Sequence, residues 1–227
     1  TTEESMRQLA QKLRIPGLSR IEIFDNSHIS GAFTVAGMVV FEDGLPCKND
    51  YRLFKLHTEN SDVDSMKEVL YRRYFRLLNE GGRFPDLLLV DGGLTQIEAA
   101  KEILGSLDLD IPICGLVKNE KHQTASLMNQ NLEIVDVEPG SALFFLLTRM
   151  QDEVHRFAIS YHRKLRQKAQ TKSILDEIEG VGEVRKKKLM STFKSFKRLK
   201  EASIEEIAQV VPAEVAERIF DTLHVEP

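Results

Sequence analysis

Apolar positions up to residue 169 follow two periods, one typical of strands and one typical of helices. Short apolar runs predict strands at 21–24, 34–42, 51–56, 87–90 and 113–117, with a short antiparallel pair at 125–127 and 132–137. Apolar residues at helical spacing predict helices at 1–15, 62–79, 94–107 and 141–169. Three successive strands followed by helix, strand, helix and strand predict an α/β fold, with a mixed sheet flanked by helices.

Beyond residue 170 the pattern changes to short helices separated by turns. These helices are predicted at 174–178, 183–192, 195–201, 204–210 and 213–223. Four of them form two copies of helix, turn and helix, the second looser than the first, and the helix 195–201 lies between the copies. Gly180-Val181-Gly182 is in the first turn and Val211-Pro212-Ala213 in the second. The second region is therefore predicted to be a small all-α domain.

The change of pattern also predicts the domain limits. Residues 1–18 are expected to be a lead-in helix and linker, 19–169 the α/β domain, and 170–227 the helical domain, with a linker near 169–171. The chain begins with Thr rather than Met, which indicates a fragment of a longer protein.

Composition narrows the class of protein. Hydrophobic residues make up 42% and charged residues 29% of the chain, as in ordinary globular domains. No apolar stretch approaches the roughly 20 residues of a membrane span, and no signal-peptide pattern opens the chain. Cys47 and Cys114 lack CxxC spacing, so neither a zinc site nor a disulfide framework is indicated. The expected location is the cytoplasm.

The charge of the chain is unevenly distributed. The net charge is −4, yet residues 162–200 contain 13 Lys and Arg against 4 Asp and Glu. A run of charge is often only a solvated helix face, but this one flanks the glycine turn at 180–182. That position favours contact with phosphates.

Two aspartates and a histidine are the candidate catalytic residues. Asp25 follows the strand 21–24, Asp91 ends the strand 87–90 just before Gly92-Gly93, and His155 lies on the helix 141–169. Carboxylates at strand ends are costly to bury unless a cation takes up their charge, so the pattern favours a Mg²⁺ or Mn²⁺ site. In the alternative, the aspartates cap a loop and a helix, and His155 is a surface residue.

Two further residues are weaker candidates. Asp62 begins the helix 62–79 and is either its N-cap or an accessory acidic residue of the site, with Asp64 as the neighbour that could be confused with it. Lys118 follows the strand 113–117 and is either a contact to the scissile phosphate or a solvated lysine.

The glycine turn is the candidate grip on nucleic acid. Gly180, Val181 and Gly182 allow backbone N–H groups to face a phosphate at the positive end of a helix. Arg185, Lys186, Lys187 and Lys188 follow directly. The second turn contains Pro212, which has no N–H donor, and is expected to bind phosphate less well.

Five segments together resemble a known family. They are Phe24-Asp25-Asn26-Ser27-His28, Tyr71-Arg72-Arg73-Tyr74, Val90-Asp91-Gly92-Gly93, Asp152-Glu153-Val154-His155-Arg156-Phe157-Ala158-Ile159 and Gly180-Val181-Gly182. Their order and spacing resemble the C-terminal half of the UvrC family, the incision subunits of bacterial nucleotide excision repair. The resemblance implies an RNase H-like endonuclease domain followed by a tandem helix-hairpin-helix domain. It also implies that Asp25 and Asp91 are catalytic carboxylates, that His155 is a metal ligand or proton carrier, and that Asp62 matches a further acidic position.

The family's activity supplies the functional expectation. It implies metal-dependent incision of DNA 5′ of a bulky lesion, leaving a 3′-hydroxyl and a 5′-phosphate. Its substrates are damaged duplexes and junctions between single and double strands, and its partners are UvrB directly and UvrA through loading of UvrB. The 3′ incision belongs to an upstream GIY-YIG domain, whose motifs we do not find. The alternatives are a non-catalytic DNA-binding scaffold and a junction-resolving nuclease of the same fold.

Three positions depart from the usual pattern of the family. Asn26 replaces an aliphatic residue, Leu94-Thr95 replaces a Lys-Gly pair, and Gln151 replaces an arginine. None of them is expected to touch Asp25, Asp91 or His155.

Overall fold

The computed structural model describes residues 1–28, 34–57, 61–118 and 124–224, without the side chains of 124, 125 and 162–173. The chain divides into two compact units, Thr1–Tyr161 and His162–Pro227. The first unit contains two buried apolar clusters and the second contains one, so each unit is described by itself.

Among its described residues, the first unit contains a mixed sheet of eight strands. The strands are β1 (Arg20–His28), β2 (Thr34–Glu42), β3 (Leu45–Pro46), β4 (Arg52–Lys55), β5 (Leu87–Asp91), β6 (Ile113–Lys118), β7 (Thr124–Asn129) and β8 (Ile134–Val135). Their order across the sheet is β3, β2, β1, β5, β6, β7 and β8, and β4 pairs with β2. The strands β1, β5 and β6 are parallel to one another, whereas β2, β3, β4, β7 and β8 join the sheet antiparallel to their partners.

Helices cover both faces of this sheet. The strands β1 and β5 are buried along their apolar length, and their alternate side chains enter two separate cores. The helices of this unit are α1 (Thr2–Leu13), α2 (Asp62–Glu80), α3 (Leu94–Ser106) and the first part of α4 (Ala142–Asp176). One core contains Ile21, Ile23 and residues of α1 and α4; the other contains Phe24, Leu88 and residues of α2 and α3. The predicted mixed α/β sheet with flanking helices is confirmed.

Two details of the predicted elements are wrong. The strand expected to end at Phe24 continues to His28, because β1 pairs with β2 along its whole length in a long antiparallel ladder. Leu78 was expected on the buried face of α2 but is 43% exposed.

The predicted linker at 169–171 is also not a break in secondary structure. One helix, α4, runs from Ala142 through Asp176, where two helices were predicted. Residues 142–176 contain no glycine or proline. The lysines, arginines, glutamines and alanine at 163–170 are good helix formers, so no local feature of the sequence ends the helix there.

A buried cluster of charged and polar side chains connects α2 to β1. Glu22 on β1 is fully buried, and it accepts hydrogen bonds from Arg20, Arg73 and the hydroxyl of Tyr74. A buried carboxylate requires such partners because desolvation is otherwise costly. In the segment Tyr71-Arg72-Arg73-Tyr74, Arg73 and Tyr74 therefore stabilise the fold through their contacts with Glu22.

The second unit is all helical. Its helices are α5 (Glu183–Phe193), α6 (Phe196–Glu201), α7 (Ile204–Ala208) and α8 (Ala213–Leu223), which follow the end of α4. Apolar residues of all these segments, including Leu175, Leu189 and Ile219, form one core. The two copies of helix, turn and helix are present as predicted.

Cys47, which is half-buried, and Cys114, which is buried, are free thiols. In the part of the chain that the structure describes, no helix is both long and apolar enough to cross a membrane.

Candidate active site and nucleic-acid interface

The sheet places Asp25 and Asp91 on one face at neighbouring strands. Phe24 pairs with Val90 in the parallel ladder of β1 and β5, so each aspartate is the next residue beyond that pair. Side chains alternate along a strand, which puts both aspartates on the face that carries Ile23 and Leu89, under α4.

A glycine opposite Asp25 lets α4 come close to the sheet. Gly37 on β2 pairs with Asp25. A Cβ atom at Gly37 would lie 3.1 Å from the Cβ of Ala158 and 3.2 Å from its backbone nitrogen. Because no side chain intervenes, α4 can bring His155, one turn before this contact, within reach of Asp25.

Two residues of α4 contact the two carboxylates. The Nδ1 atom of His155 lies 3.2 Å from Oδ2 of Asp25, and Nε2 of Gln151 donates a hydrogen bond of 2.7 Å to Oδ1 of Asp91. The expectation that Gln151 touches none of the site residues is wrong. Its spacing of four residues from His155 on one helix was the signal that sequence analysis missed.

The environment of Asp25 disfavours its charged form. Its side chain is 10% exposed. Burial, followed by repulsion from the Asp91 carboxylate, raises the pKa of Asp25 from 3.8 to about 7, although the hydrogen bond and charge of His155 oppose the change. Such a site gains stability from a cation that lowers the repulsion.

Neither aspartate has the capping role considered as an alternative. Asp25 lies within β1 rather than in a turn. The N-cap of α3 is Gly93, and Gly92, with φ of 143°, makes the turn between Asp91 and that helix.

The donor set at Asp25 and Asp91 fits a hard divalent cation. Both residues offer carboxylate oxygens, which Mg²⁺ and Mn²⁺ prefer, and their mutual repulsion requires a counter-charge. His155 contacts Asp25, but the possible ligand atoms of Asp25, Asp91 and His155 do not all lie within 4.8 Å of one another.

Another group of possible ligands meets that distance within the described ranges: Glu42, Cys47 and Asp50. It does not fit a metal site, because Nη1 of Arg20 lies 2.9 Å from Oε1 of Glu42 and 2.8 Å from Oδ2 of Asp50. The guanidinium already supplies the positive charge that these two carboxylates require.

Asp62 lies apart from the two-carboxylate site. Ser61, not Asp62, is the N-cap of α2, and its side chain accepts from the backbone N–H of Asp64. The carboxylate of Asp62 contacts Nε2 of His28, and its carbonyl accepts from Asn26. Asn26 and His28 alternate with Asp25 along β1, so this group is on the α2 side of the sheet. An accessory role for Asp62 stays a prediction.

Lys118 is the last residue of β6 and is exposed. It lies two residues beyond Leu116, which pairs with Asp91 in the parallel ladder of β5 and β6. Lys118 is thus at the same end of the sheet as Asp91, and its contact with a scissile phosphate stays a prediction.

The glycine turn forms the first hairpin of the helical unit. Gly180 has a φ of 92°, and a Cβ atom there would lie 2.9 Å from Val215 of α8. Gly182 is the N-cap of α5, and Gly182, Glu183 and Val184 are exposed residues. The N–H of Val181 is already used, since it donates to the carbonyl of Ile178.

The basic residues behind this turn have different environments. Lys186 is 8% exposed, and its Nζ lies 2.7 Å from Oδ1 of Asp176. Arg185 donates to the carbonyl of Gly180 at 2.6 Å and braces the hairpin. Of the three lysines that follow the turn, Lys187 and Lys188 are exposed, so their charges face solvent.

The second hairpin has a different construction. Pro212 is the N-cap of α8, and Val211 before it is buried in the core of the unit. Pro212 has no N–H to donate, and the expectation that the second turn is the poorer phosphate binder stays a prediction.

Fold and site together define a class. A mixed α/β sheet with two carboxylates and a histidine on one face, followed by tandem helical hairpins with a basic helix, is the arrangement expected of an RNase H-like nuclease domain joined to a helix-hairpin-helix domain.

Comparison with known proteins gives the family. Residues 10–159 match the model of the UvrC RNase H endonuclease domain, and residues 172–224 match that of the SAM-like helix-hairpin-helix tandem. The chain is 49% identical over 229 residues to UvrABC system protein C of Streptococcus gordonii, a match that covers 99% of this chain and 38% of that protein. The chain belongs to the UvrC RNase H endonuclease domain family and spans somewhat over a third of the length of this relative.

Solved structures give weaker matches. Endonuclease V of Ciona intestinalis, in complex with a 24mer DNA, is 12% identical with a TM-score of 0.35, covering 53% of this chain and 60% of that one. Human ENDOV is 13% identical with a TM-score of 0.35, covering 74% of this chain and all of that one.

Proposed function

We propose that the chain is the part of a UvrC-type excision endonuclease that makes the incision 5′ of a bulky DNA lesion. The observation that carries this proposal is the pair Asp25 and Asp91, placed side by side on one face of the sheet with His155 against Asp25. The match of residues 10–159 to the family model supports it.

Asp25 and Asp91 would hold Mg²⁺ or Mn²⁺, which when bound activates water and stabilises charge on the phosphoryl oxygens. His155 is placed to take the proton of the attacking water. With Asp25 ionised, Nδ1–H of His155 would donate to Oδ2 of Asp25 and leave Nε2 as the basic nitrogen. The imidazole is 63% exposed and so accessible to substrate. Attack of the water oxygen at phosphorus would break the bond between phosphorus and the 3′ oxygen. The leaving oxygen would take a proton from solvent water, which gives a 3′-hydroxyl and a 5′-phosphate.

The helical unit would hold the DNA backbone without regard to base sequence. Gly182, an exposed residue, and the N-terminus of α5 would offer N–H donors, and Lys187 and Lys188 would offer charge. Arg185 and Lys186 would act by holding the hairpin in shape, given their contacts to Gly180 and Asp176.

The substrates would be damaged duplexes and junctions between single and double strands. The partners would be UvrB directly and UvrA through loading of UvrB, as the similarity to UvrABC system protein C suggests. We place the endonuclease domain at 19–169, after the lead-in segment 1–18, and the DNA-binding domain at 170–227.

The test is incision of a lesion-containing duplex by the full-length protein with UvrA and UvrB. Wild type is compared with Asp25→Ala and Asp91→Ala, and with Asp136→Ala as an exposed aspartate of the same unit. We expect both site variants to lose only the 5′ cut, by at least about 100-fold, while the 3′ cut and DNA binding persist.

An unchanged 5′ cut in both site variants contradicts the nuclease assignment and leaves a DNA-binding scaffold. Loss of both cuts together with DNA binding would point to a folding defect, which circular dichroism of the variants separates from a defect in chemistry.

A further inference from the structure

One helix holds both carboxylates of the site, but through different groups. Gln151 and His155 are one turn apart on α4, so both project from the same side of the helix. His155 contacts Asp25, and Gln151 contacts Asp91 across 60 residues of sequence.

The two contacts differ in exposure and in charge. Gln151 is only 7% exposed, whereas the imidazole of His155 is 63% exposed. A buried amide that donates at 2.7 Å restricts the rotation of the carboxylate that accepts it. Because the amide is neutral, it orients Asp91 without cancelling the negative charge that attracts a cation.

We propose that Gln151 is a positioning residue that fixes the carboxylate of Asp91 for divalent metal, with its amide on Oδ1 and Oδ2 left for the cation. This inference rests on the proposed function, since it takes Asp91 as a metal ligand. Partners that orient a metal ligand commonly change affinity by about 10- to 100-fold when removed.

The test is calorimetric titration of the 227-residue chain with Mn²⁺ in the absence of DNA. Gln151→Met has nearly the shape of the wild type but no donor. We expect it to raise the Kd for Mn²⁺ by about 10-fold or more. In cleavage assays at limiting metal it should lower kcat and leave the KM for DNA unchanged, with recovery at high Mn²⁺.

Gln130→Met is the matched control. Gln130 also uses its side-chain amide, accepting from the backbone N–H of Ile113, but it lies in the turn between β7 and β8. The control should bind Mn²⁺ with wild-type affinity even where its stability falls.

The outcomes separate two failures. If Asp25→Asn abolishes Mn²⁺ binding while Gln151→Met leaves the Kd unchanged, the positioning role is overturned and the proposed function stands. If wild type and Asp25→Asn bind Mn²⁺ equally, the metal site itself is absent and both proposals fall.

A measurement on the wild-type chain covers the case in which Gln151→Met does not fold. In NMR spectra, the side-chain amide protons of Gln151 should exchange slowly with solvent and shift when Mg²⁺ is added. Rapid exchange without a shift overturns the positioning role.

Discussion

The two units of this chain use their residues in opposite ways. In the sheet unit the candidate site consists of side chains from three distant segments, at Asp25, Asp91 and the pair Gln151 and His155. In the helical unit the candidate grip lies within a few consecutive residues, from Gly180 to Lys188, and relies on backbone and solvated charge.

We expect substitutions to impair the two candidate sites in different ways. A site assembled over long range requires its strands and helix to be in register, so one change that moves α4 affects every group together. A local grip on phosphates sums many weak contacts, so its loss is gradual and depends on salt. Three predictions test this contrast, in order of expected effect.

The largest effect is the pH dependence of the sheet unit. The folded pKa of Asp25, about 7, exceeds its ordinary 3.8, so the native state binds more protons than the unfolded state between these values. In EDTA, the free energy of unfolding should therefore fall by roughly 2–4 kcal/mol from pH 4 to pH 8.

Asp25→Asn should remove this fall and be more stable than wild type at pH 8. All 4 tyrosines of the chain lie within residues 1–161, so urea unfolding followed by tyrosine fluorescence reports on this unit. Identical pH profiles for wild type and variant would contradict the prediction, and Asp136→Asn serves as the control.

The next effect concerns the approach of α4 to the sheet. Gly37→Ala places a Cβ atom 3.1 Å from the Cβ of Ala158 and 3.2 Å from its backbone, so the backbone of α4 must move by a few tenths of an ångström. We expect a loss of about 1–3 kcal/mol in stability together with much weaker Mn²⁺ binding, measured by urea unfolding and calorimetry.

Gly105→Ala is the matched control, since nothing lies within 4 Å of a Cβ atom there and the residue is in α3. It should stabilise the unit by about 0.5–1 kcal/mol through helix propensity. Equal effects of the two substitutions would show that Gly37 is not needed for the close contact.

The smallest effect separates two adjacent lysines of α5. Lys186→Met removes the partner of Asp176 and should lower the thermal stability of the helical unit by about 1–2 kcal/mol. Lys187→Met should leave stability unchanged, weaken DNA binding, and reduce the slope of log K against log salt by about 1.

Circular dichroism melting and fluorescence anisotropy with duplex DNA at several salt concentrations measure both quantities. A Lys187→Met variant with the wild-type salt slope would contradict the assignment of Lys187 to phosphate contact.

Local pattern was enough to predict the order of the elements. The runs 87–90 and 113–117 are strands within a residue of their predicted limits, and the predicted helix 213–223 has the limits of α8. The spacing of apolar residues predicts strands and helices because the residues that form one buried face lie close together in sequence. The identity of Asp25, Asp91 and His155 as candidates came from motifs of the same local kind.

The partner of each side chain was decided only by tertiary structure. Asp91 and Gln151 are 60 residues apart, Asp62 and His28 are 34 apart, and no sequence pattern joins them. The same holds for Lys186, which looked like a phosphate contact and is buried against Asp176. Such pairings depend on sheet register and on how closely a helix packs, and these are set by contacts between segments distant along the chain.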